Sequence, residues 1–290
     1  MTDGFLNVLK PPGMSSHDVV SAIRRIFHTK RVGHAGTLDP GAAGGVPVAV
    51  GRATRMIEFL PGDKSYRAEV KLGVSTDSGD LFGTLVEQVT DFSMPSFCEV
   101  SKIMEGFHGK ITQVPPIYSA IKINGKRACD LARQDLKVEI PARDIEIMRL
   151  ELLQLNEQEQ TFLVDVDCSK GTYIRTLCMD IGSRLGIPAV MSFLLRTRVG
   201  SFQLEDSCTL EELSQIGEEA ILPAEECFSH IPRYDLPEHR EKAFCNGLST
   251  RELSLKMNQV FSVFCNGRFL GMARYDQSKQ AVCPIKVYKN

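Results

Sequence analysis

The sequence has no run of about 18 apolar residues, which a membrane-spanning helix requires. Its start, Met1-Thr2-Asp3-Gly4, lacks the basic and apolar regions of a signal peptide. We therefore expect a cytoplasmic protein that does not contact a membrane. The nine cysteines are scattered, and no two of them form a C-x-x-C pair. This spacing argues against a disulfide framework and a zinc ribbon, and for Cys168 and Cys178 it favours buried packing over a nucleophilic role.

Two glycine-rich nucleotide fingerprints are also missing. A phosphate-binding P-loop reads G-x-x-x-x-G-K-[ST], and the glycines at 36 and 41 have that spacing but are followed by Ala42 and Ala43. The dinucleotide fingerprint G-x-G-x-x-G does not occur either. The glycine-rich part of this chain therefore needs a different interpretation.

That part is the stretch 33–44, GHAGTLDPGAAG, in which one carboxylate, Asp39, lies among four glycines and three alanines. Because few side chains cover this backbone, a group as large as a nucleotide can approach Asp39 closely. The stretch therefore predicts the floor of an active site. An alternative is that Asp39 is the N-cap of a helix with Pro40 at its first position. In both cases the carboxylate would be held rigidly.

Composition and charge indicate a globular protein with a partly basic surface. With 43% hydrophobic and 24% charged residues, the chain fits one large domain, or one large and one small domain. Segment 205–226 carries eight acidic residues and no Lys or Arg, so the net charge of −2 leaves the remainder of the chain at +6. Basic residues form two groups that predict a polyanionic partner rather than merely a solvated face: Lys10, Arg24, Arg25, Lys30, Arg31, Arg52 and Arg55, and Lys122, Lys126, Arg127, Arg133 and Lys137.

Local patterns predict the elements of the first half. Residues 5–9 form a short strand, and a capping box of Ser15 and Asp18 begins a helix over 16–28. A second helical pattern follows over 51–60, and Ser96 with Glu99 caps a third. Alternation from Tyr66 to Leu72 predicts a half-buried strand, in which Tyr66 is either a cross-strand core aromatic or a functional residue.

The second half begins with a segment of different character. Pro115-Pro116, Asn124-Gly125 and several basic residues predict that 110–140 projects from the body and contacts a partner. Strands are expected at about 144–155 and 161–168. The helix that follows has Arg175 in its first turn, where the helix dipole disfavours a cation. Arg175 is therefore either solvated or held there to meet an anion.

The end of the chain has an all-β pattern. A capping box of Thr209 and Glu212 lies in the acidic segment, and strands alternate with turns from about residue 232. Asn266-Gly267 is a typical hairpin turn. This tail predicts an appended module of roughly sixty residues, which is too small to form much of a core alone.

Three segments carry a family resemblance: 10–18 (KPPGMSSHD), 33–40 (GHAGTLDP) and 168–175 (CSKGTYIR). With Tyr66-Arg67 and 114–120 (VPPIYSA), in this order and spacing, they resemble the TruB family of tRNA pseudouridine-55 synthases. The resemblance covers the catalytic domain almost end to end. It implies an α+β fold, with a mixed, mostly antiparallel sheet and flanking helices over 1–230 and an RNA-gripping thumb at about 110–140. It also implies a small β-rich, PUA-like RNA-binding domain over 231–290.

The resemblance also implies an activity. The family isomerises one uridine in the T loop of tRNA, cutting the N1–ribose bond and rejoining the ring through C5, without a metal or redox cofactor. Asp39 matches the catalytic aspartate, Tyr66 the tyrosine stacked over the target base, and Arg175 the arginine paired with the aspartate. Three further residues match substrate-contacting positions, namely His34, Tyr173 and Leu194. We expect a monomer that binds the tRNA T stem-loop without an obligatory protein partner.

The physical chemistry of these residues agrees with the implied activity. A base in a folded loop must be extruded at a cost of a few kcal/mol before its glycosidic bond is accessible. Arg175 is expected to keep Asp39 ionised by lowering its pKa. Tyr66 offers a stacking face, commonly worth about 1–3 kcal/mol per base. His34 is assigned to the space near the extruded base or to RNA contact, with a satisfied loop histidine as the alternative.

One departure from the family pattern lies just after Asp39. The family usually continues Gly-Val-Leu-Pro-Val, whereas this chain has Gly44-Gly45-Val46-Pro47-Val48. Gly45 is expected to loosen the backbone there, at a cost of about 1 kcal/mol. Two alternatives to the stand-alone enzyme follow: a non-catalytic tRNA-binding or folding module that keeps the scaffold, and a guide-RNA-dependent pseudouridine synthase of the dyskerin type.

Overall fold

The computed structural model describes residues 3–119, 121–123, 125–128, 140–255 and 258–288. Within these ranges the α-helices are α1 (Ser16–Ile26), α2 (Phe97–Glu105), α3 (Ile174–Leu185), α4 (Leu210–Ile216) and α5 (Glu241–Cys245). Short 3-10 helices lie at Gly51–Phe59, Leu204–Asp206, Gly217–Ala220, Ala224–Phe228 and Glu238–Arg240. None of the helices in the described part is long and apolar enough to cross a membrane.

The strands of the same ranges run from β1 to β19 in chain order. Those of the first half are β1 (Gly4–Lys10), β2 (Val32–His34), β3 (Ala43–Val50), β4 (Lys64–Leu72), β5 (Val74–Thr76), β6 (Leu85–Gln88), β7 (Gly109–Gln113), β8 (Lys122–Ile123) and β9 (Lys126–Arg127). Those of the second half are β10 (Arg143–Asn156), β11 (Thr161–Cys168), β12 (Ala189–Val199), β13 (Phe202–Gln203), β14 (Leu222–Pro223), β15 (Arg233–Asp235), β16 (Thr250–Arg251), β17 (Val260–Cys265), β18 (Arg268–Asp276) and β19 (Ala281–Val287).

Ten of these strands form one large sheet. Its order is β14-β1-β3-β12-β4-β11-β10-β7, with β2 beside β3 and β13 beside β12. The β3–β12 pair is parallel and the other pairs are antiparallel. The prediction of a mixed, mostly antiparallel sheet with flanking helices is confirmed. Alternation of buried and less buried residues along β4 and β11 follows from their central place in the sheet.

The capping boxes predicted from sequence are all present. The Ser15 hydroxyl accepts from the Asp18 amide, and the Asp18 carboxylate accepts from the Ser15 amide. Matching pairs begin α2, at Ser96, and α4, at Thr209. Helix α1 ends at Ile26 rather than at 28, because His28 has a φ of 49°, in the left-handed region.

The alternative that Asp39 caps a helix is wrong. The Asp39 carbonyl accepts from the Ala42 amide at 3.1 Å, which closes a four-residue turn around Pro40-Gly41. Strand β3 begins immediately afterwards, at Ala43. The chain is therefore extended where a helix would have needed to run, and Asp39 is fixed by a turn instead.

The predicted projecting segment begins inside the large sheet. Strand β7 pairs with β10 from Gly109↔Ile147 to Gln113↔Arg143, so 109–113 belongs to the body of the protein. Strands β8 and β9 pair only with each other among the described residues. The described residues do not include 120, 124 and 129–139 of the predicted thumb. Arg133 and Lys137 of the second basic group therefore lie outside the described residues as well.

The C-terminal part is rich in strands, as predicted. It forms a five-stranded sheet in the order β15-β17-β18-β19-β16, and Asn266-Gly267 makes the hairpin turn between β17 and β18 with positive φ at both residues. This sheet shares an apolar cluster with the large sheet: Phe228 stacks on Phe269 and meets Phe5 edge-on. The tail therefore packs part of its apolar residues against the body. It stays a prediction that the domain boundary lies between 230 and 231 and that the tail is PUA-like.

Candidate active site

Three neighbouring strands place the predicted site residue Tyr66 in one row with Arg196 and Gly44. In the pairing of β3, β12 and β4, Gly44 lies beside Arg196 and Arg196 lies beside Tyr66. Gly44 has a φ of 129°, and a Cβ there would come within 2.3 Å of the Arg196 carbonyl oxygen. Only glycine fits this approach, so the close pairing depends on it. The loop that carries Asp39 is thereby placed directly against β12.

Two buried cations and one hydroxyl hold that loop. The Lys10 ammonium lies 2.5–3.3 Å from the carbonyl oxygens of Pro11, Met14, Pro40 and Ala42. Lys10 is fully buried, which corrects its assignment to a basic surface group, and burial together with Arg196 lowers its pKa to about 8. The Ser16 hydroxyl bonds to the amide and the carbonyl of Leu38.

Arg196 is the second buried cation. Its guanidinium donates to the Gly45 carbonyl at 2.9 Å and to the carbonyls of Gly36 and Thr37 at 3.3 Å. Gly45 is thus bonded to this side chain within strand β3, and the expected loosening of the backbone there stays a prediction. Carbonyls on both sides of Asp39 are fastened to a side chain, so the carboxylate has little freedom to move.

Asp39 is paired with Arg175. Arg175 Nε lies 3.0 Å from Asp39 Oδ2, and only 5% of the Arg175 side chain is exposed. Its other nitrogens donate to the carbonyls of Ser78, at 2.9 Å, and Tyr118, at 2.8 Å, and Nη1 lies 3.7 Å from Asp80 Oδ2. The interpretation of Arg175 as a solvated residue is therefore wrong, and its position in the first turn of α3 is explained by the anion that it meets.

The pKa of Asp39 is raised from its usual value near 3.8, which corrects the expected direction. Burial makes the charged carboxylate less favourable, and this effect exceeds the opposing attraction of Arg175. Asp80 adds repulsion. Arg175 acts in the predicted sense, but it only moderates the cost of ionising a carboxylate in this site.

The start of α3 is fixed by an amide from a distant strand. Tyr173 is the N-cap residue, and its side chain makes no capping bond. The Gln113 side chain instead bonds the backbone of this residue. Its Oε1 accepts from the Tyr173 amide at 2.8 Å, and its Nε2 donates to the Tyr173 carbonyl at 3.0 Å. Gln113 is 1% exposed. Strand β7 therefore sets where α3 begins and, two residues later, where Arg175 lies.

Two cavities meet at the Asp39–Arg175 pair, and Tyr118 and Leu194 line both of them. The first, of ≈ 260 Å³, is also lined by Lys64, Tyr66, Ser119, Thr172 and Tyr173. A water molecule takes about 30 Å³ in the liquid, so this cavity is large enough to admit a flat six-membered ring such as a pyrimidine. The second, of ≈ 550 Å³, is also lined by Asp77, Asp80, Phe82, Met191 and Phe193.

Five of the six predicted site residues line these cavities, and His34 does not. Tyr66 is 7% exposed, its hydroxyl accepts from Arg196, and burial raises its pKa to about 12, so the phenol is neutral near pH 7. His34 lies in β2, and burial and Arg196 lower its pKa, which favours the neutral ring. Its Nδ1 is buried without a partner among the described residues. The RNA-contact role of His34 stays a prediction.

Sequence reasoning missed four residues that position this site. Lys10 was quoted only as a basic residue, and Gln113, Asp80 and Arg196 had no assigned role. Arg196 had a signal, because it lies two positions after Leu194 and therefore on the same face of the strand. Asp80 also had one, since it closes an acidic turn just after the Tyr66 strand. Gln113 had none, because its partner is 60 residues away.

The described residues hold no group of three or more His, Cys, Asp or Glu side chains arranged for a metal ion. The expected metal-free and cofactor-free reaction stays a prediction. Cys168 and Cys178 are buried as predicted, and burial raises their pKa values to about 11 and about 12. Both are thiols near pH 7, a form with little nucleophilic reactivity.

Solved structures place this fold in a class. A crystal structure described as a Cbf5-Nop10-Gar1 complex is similar with a TM-score of 0.74 and 27% identity, covering 99% of this chain and 85% of that chain. The fold is that of a pseudouridine synthase.

Sequence comparison gives the family. The model of the TruB family pseudouridylate synthase N-terminal domain matches residues 24–174, and that of the tRNA pseudouridylate synthase B C-terminal domain matches 175–229. The chain belongs to the TruB family. The tRNA pseudouridine synthase B of Heliobacterium mobile is 48% identical over 85% of this chain and 81% of its own length. That of Moorella thermoacetica is 45% identical over 100% and 99%, respectively.

Proposed function

We propose that this protein is a tRNA pseudouridine synthase that isomerises uridine 55 in the T loop, with Asp39 as the catalytic carboxylate. The observation that carries the proposal is the Asp39–Arg175 pair, 3.0 Å apart, beside a cavity of pyrimidine size that Tyr66 lines. The relatives named tRNA pseudouridine synthase B support tRNA as the substrate.

The proposed reaction conserves all atoms of the uridine. The N1–C1′ bond breaks, the ring turns, and a C5–C1′ bond forms, while C5 loses a proton and N1 gains one. Asp39 faces the sugar carbon either as a nucleophile or as a stabiliser of positive charge there. Tyr66 stacks on the extruded ring, and Tyr173 and Leu194 contact it from the same cavity. The protein acts as a monomer and needs no partner protein.

The first experiment replaces Asp39 with Asn, which keeps the size of the side chain and removes its charge. We expect Asp39→Asn to abolish pseudouridine formation in a T stem-loop transcript while binding stays within a few-fold of the unmodified protein. Mass spectrometry maps the modified position, and filter binding measures affinity. Unchanged turnover would contradict the role of Asp39, and modification elsewhere would contradict the choice of uridine 55.

Two other functions are outcomes of the same assay. A protein that binds tRNA but forms no pseudouridine would be a non-catalytic binding or folding module. A protein that acts only with added guide RNA and partner proteins would be of the dyskerin type. The similarity to the Cbf5 complex is the reason for testing this outcome. Identity of 45–48% to the tRNA enzymes, against 27% to that structure, favours activity on tRNA alone.

A further inference from the structure

Lys64 lies in the same cavity as the proposed base-stacking residue. It is the first residue of β4, two positions before Tyr66, so both side chains project from the same face of the sheet. Its side chain packs over Gly36: Cε lies 3.2 Å and Nζ 3.9 Å from where a Cβ would be at that glycine. A side chain at 36 would therefore push Lys64 aside by a few tenths of an ångström, whereas glycine leaves the lysine its present place in the cavity.

The Lys64 ammonium has unused hydrogen-bonding capacity. It donates to the Gly62 carbonyl at 2.9 Å, which is its one hydrogen bond within the described part of the chain. An ammonium has three donors. The nearby carboxylates are committed elsewhere, because Asp63 pairs with Arg198 and Asp39 pairs with Arg175. Two donors of Lys64 are thus available to a ligand in the cavity.

The charges around Lys64 indicate what kind of ligand that is. Burial lowers the pKa of Lys64, and repulsion from Arg196 and Lys170 lowers it further, while Cys168 and Asp63 act in the opposite sense. Arg143 adds another cation at the same end, within 3.4 Å of the Cβ position at Gly171, which lines the cavity. This end of the cavity therefore has an excess of positive charge that a neutral base edge would not offset, whereas an anionic oxygen would.

We propose that Lys64 binds a backbone phosphate next to the target uridine, as a phosphate subsite of the cavity that Tyr66 lines. The inference rests on the proposed function, since a nucleotide whose ring stacks on Tyr66 brings its flanking phosphodiesters to the rim of the same cavity. Such a contact fixes the position of the backbone and carries no sequence information. Lys64 holds the strand while the ring occupies the space beside Asp39.

The test measures how binding depends on salt. Lys64→Met removes the charge at similar size, Lys64→Arg keeps it, and Lys102→Met removes an exposed lysine of α2 that lines neither cavity. All are made in the Asp39→Asn protein, so that the RNA is not converted. We expect Lys64→Met to reduce the slope of log Kd against log salt by about 0.7–0.9. The ratio of the Kd of Lys64→Met to the Kd of the protein with Lys64 then falls about threefold between 0.05 and 0.2 M salt. Lys64→Arg and Lys102→Met keep the original slope.

A chemical complement locates the contact on the RNA. Two T stem-loops are prepared, with a neutral methylphosphonate on the 5′ or the 3′ side of the target uridine. Their affinity is measured for the protein with Lys64 and for its Lys64→Met variant. We expect one of the two RNAs to bind roughly tenfold more weakly to the protein with Lys64, and to bind Lys64→Met no more weakly than the unmodified RNA does. Equal losses in both proteins, or an unchanged salt slope, would overturn the proposal. Melting curves verify folding, and pseudouridine formation by the unmodified protein tests the proposed function separately.

Discussion

At the scale of single residues, the site depends on a balance between burial and charge at Asp39. Burial raises the pKa of the carboxyl, and Arg175, at 3.0 Å, lowers it again. A carboxylate that must be ionised loses activity as the pH falls through its pKa and keeps it above that pKa. With Asp39 in the proposed catalytic role, the arginine determines how far toward acid pH the enzyme can work.

Arg175→Met tests this balance. Without the guanidinium, burial and repulsion from Asp80 raise the pKa of Asp39 and only Lys10 opposes them. The pH below which the single-turnover rate falls is therefore expected to move upward, together with a loss of rate at neutral pH. Arg175→Lys keeps a charge without the two bonds to carbonyls and is expected to shift this pH less. Rates on a T stem-loop RNA between pH 4 and 8 measure the shift. A fall in rate that stays at the same pH in Arg175→Met would refute the argument.

At the scale of elements, the junction between β7 and α3 decides where the arginine lies. The Gln113 side chain satisfies both the amide and the carbonyl of Tyr173, the residue that begins α3. Because Gln113 is buried, a side chain without these two groups would leave the Tyr173 amide without its partner, whereas the Tyr173 carbonyl keeps the bond from the Leu177 amide at 3.1 Å.

Gln113→Met is the corresponding variant. An unsatisfied buried backbone amide costs about 1–3 kcal/mol, so we expect the free energy of unfolding to fall by about 1–3 kcal/mol. Urea denaturation measures this loss. Turnover is expected to fall as well, with little change in RNA affinity, because Arg175 moves with the start of the helix. Gln154→Met, at an exposed position of β10, is the matched control and is expected to leave both unchanged. A Gln113→Met protein as stable as the control would contradict this account.

Local sequence signals determined the elements but not these junctions. The capping boxes at Ser15, Ser96 and Thr209 and the alternation along β4 involve neighbours in sequence, so they were predicted correctly. The turn at Asp39 was ambiguous, because Asp-Pro begins both turns and helices. Burial of Lys10 could not be predicted, since two of its four carbonyl partners lie 30 and 32 residues away in the Asp39 loop.

At the scale of the whole molecule, the two sheets share one apolar cluster. Phe228 precedes the five-stranded sheet in sequence, yet its ring lies 5.8 Å from Phe5 and 5.9 Å from Phe269. The sequence predicted an appended module, because composition changes near residue 232. It did not reveal the shared cluster, because Phe5 and Phe269 come together only in the folded chain.

Phe228→Ala tests how strongly the two sheets depend on each other. Removing a fully buried phenylalanine typically costs about 3–5 kcal/mol, and here both sheets lose contacts at once. We expect hydrogen exchange to increase in β1 and β18 together, and urea unfolding of the unmodified protein to be a single transition. Faster exchange in β18 alone would mean that the five-stranded sheet folds as an independent unit.

The row formed by Gly44, Arg196 and Tyr66 crosses three hydrogen-bonded strands, so its spacing is settled before any RNA arrives. A framework this stiff does not reshape itself around its substrate, and the bending is left to the nucleic acid. Transcripts with the same loop sequence but different stems would then differ in reactivity according to how readily their loops open, which makes RNA flexibility itself a determinant of what is modified.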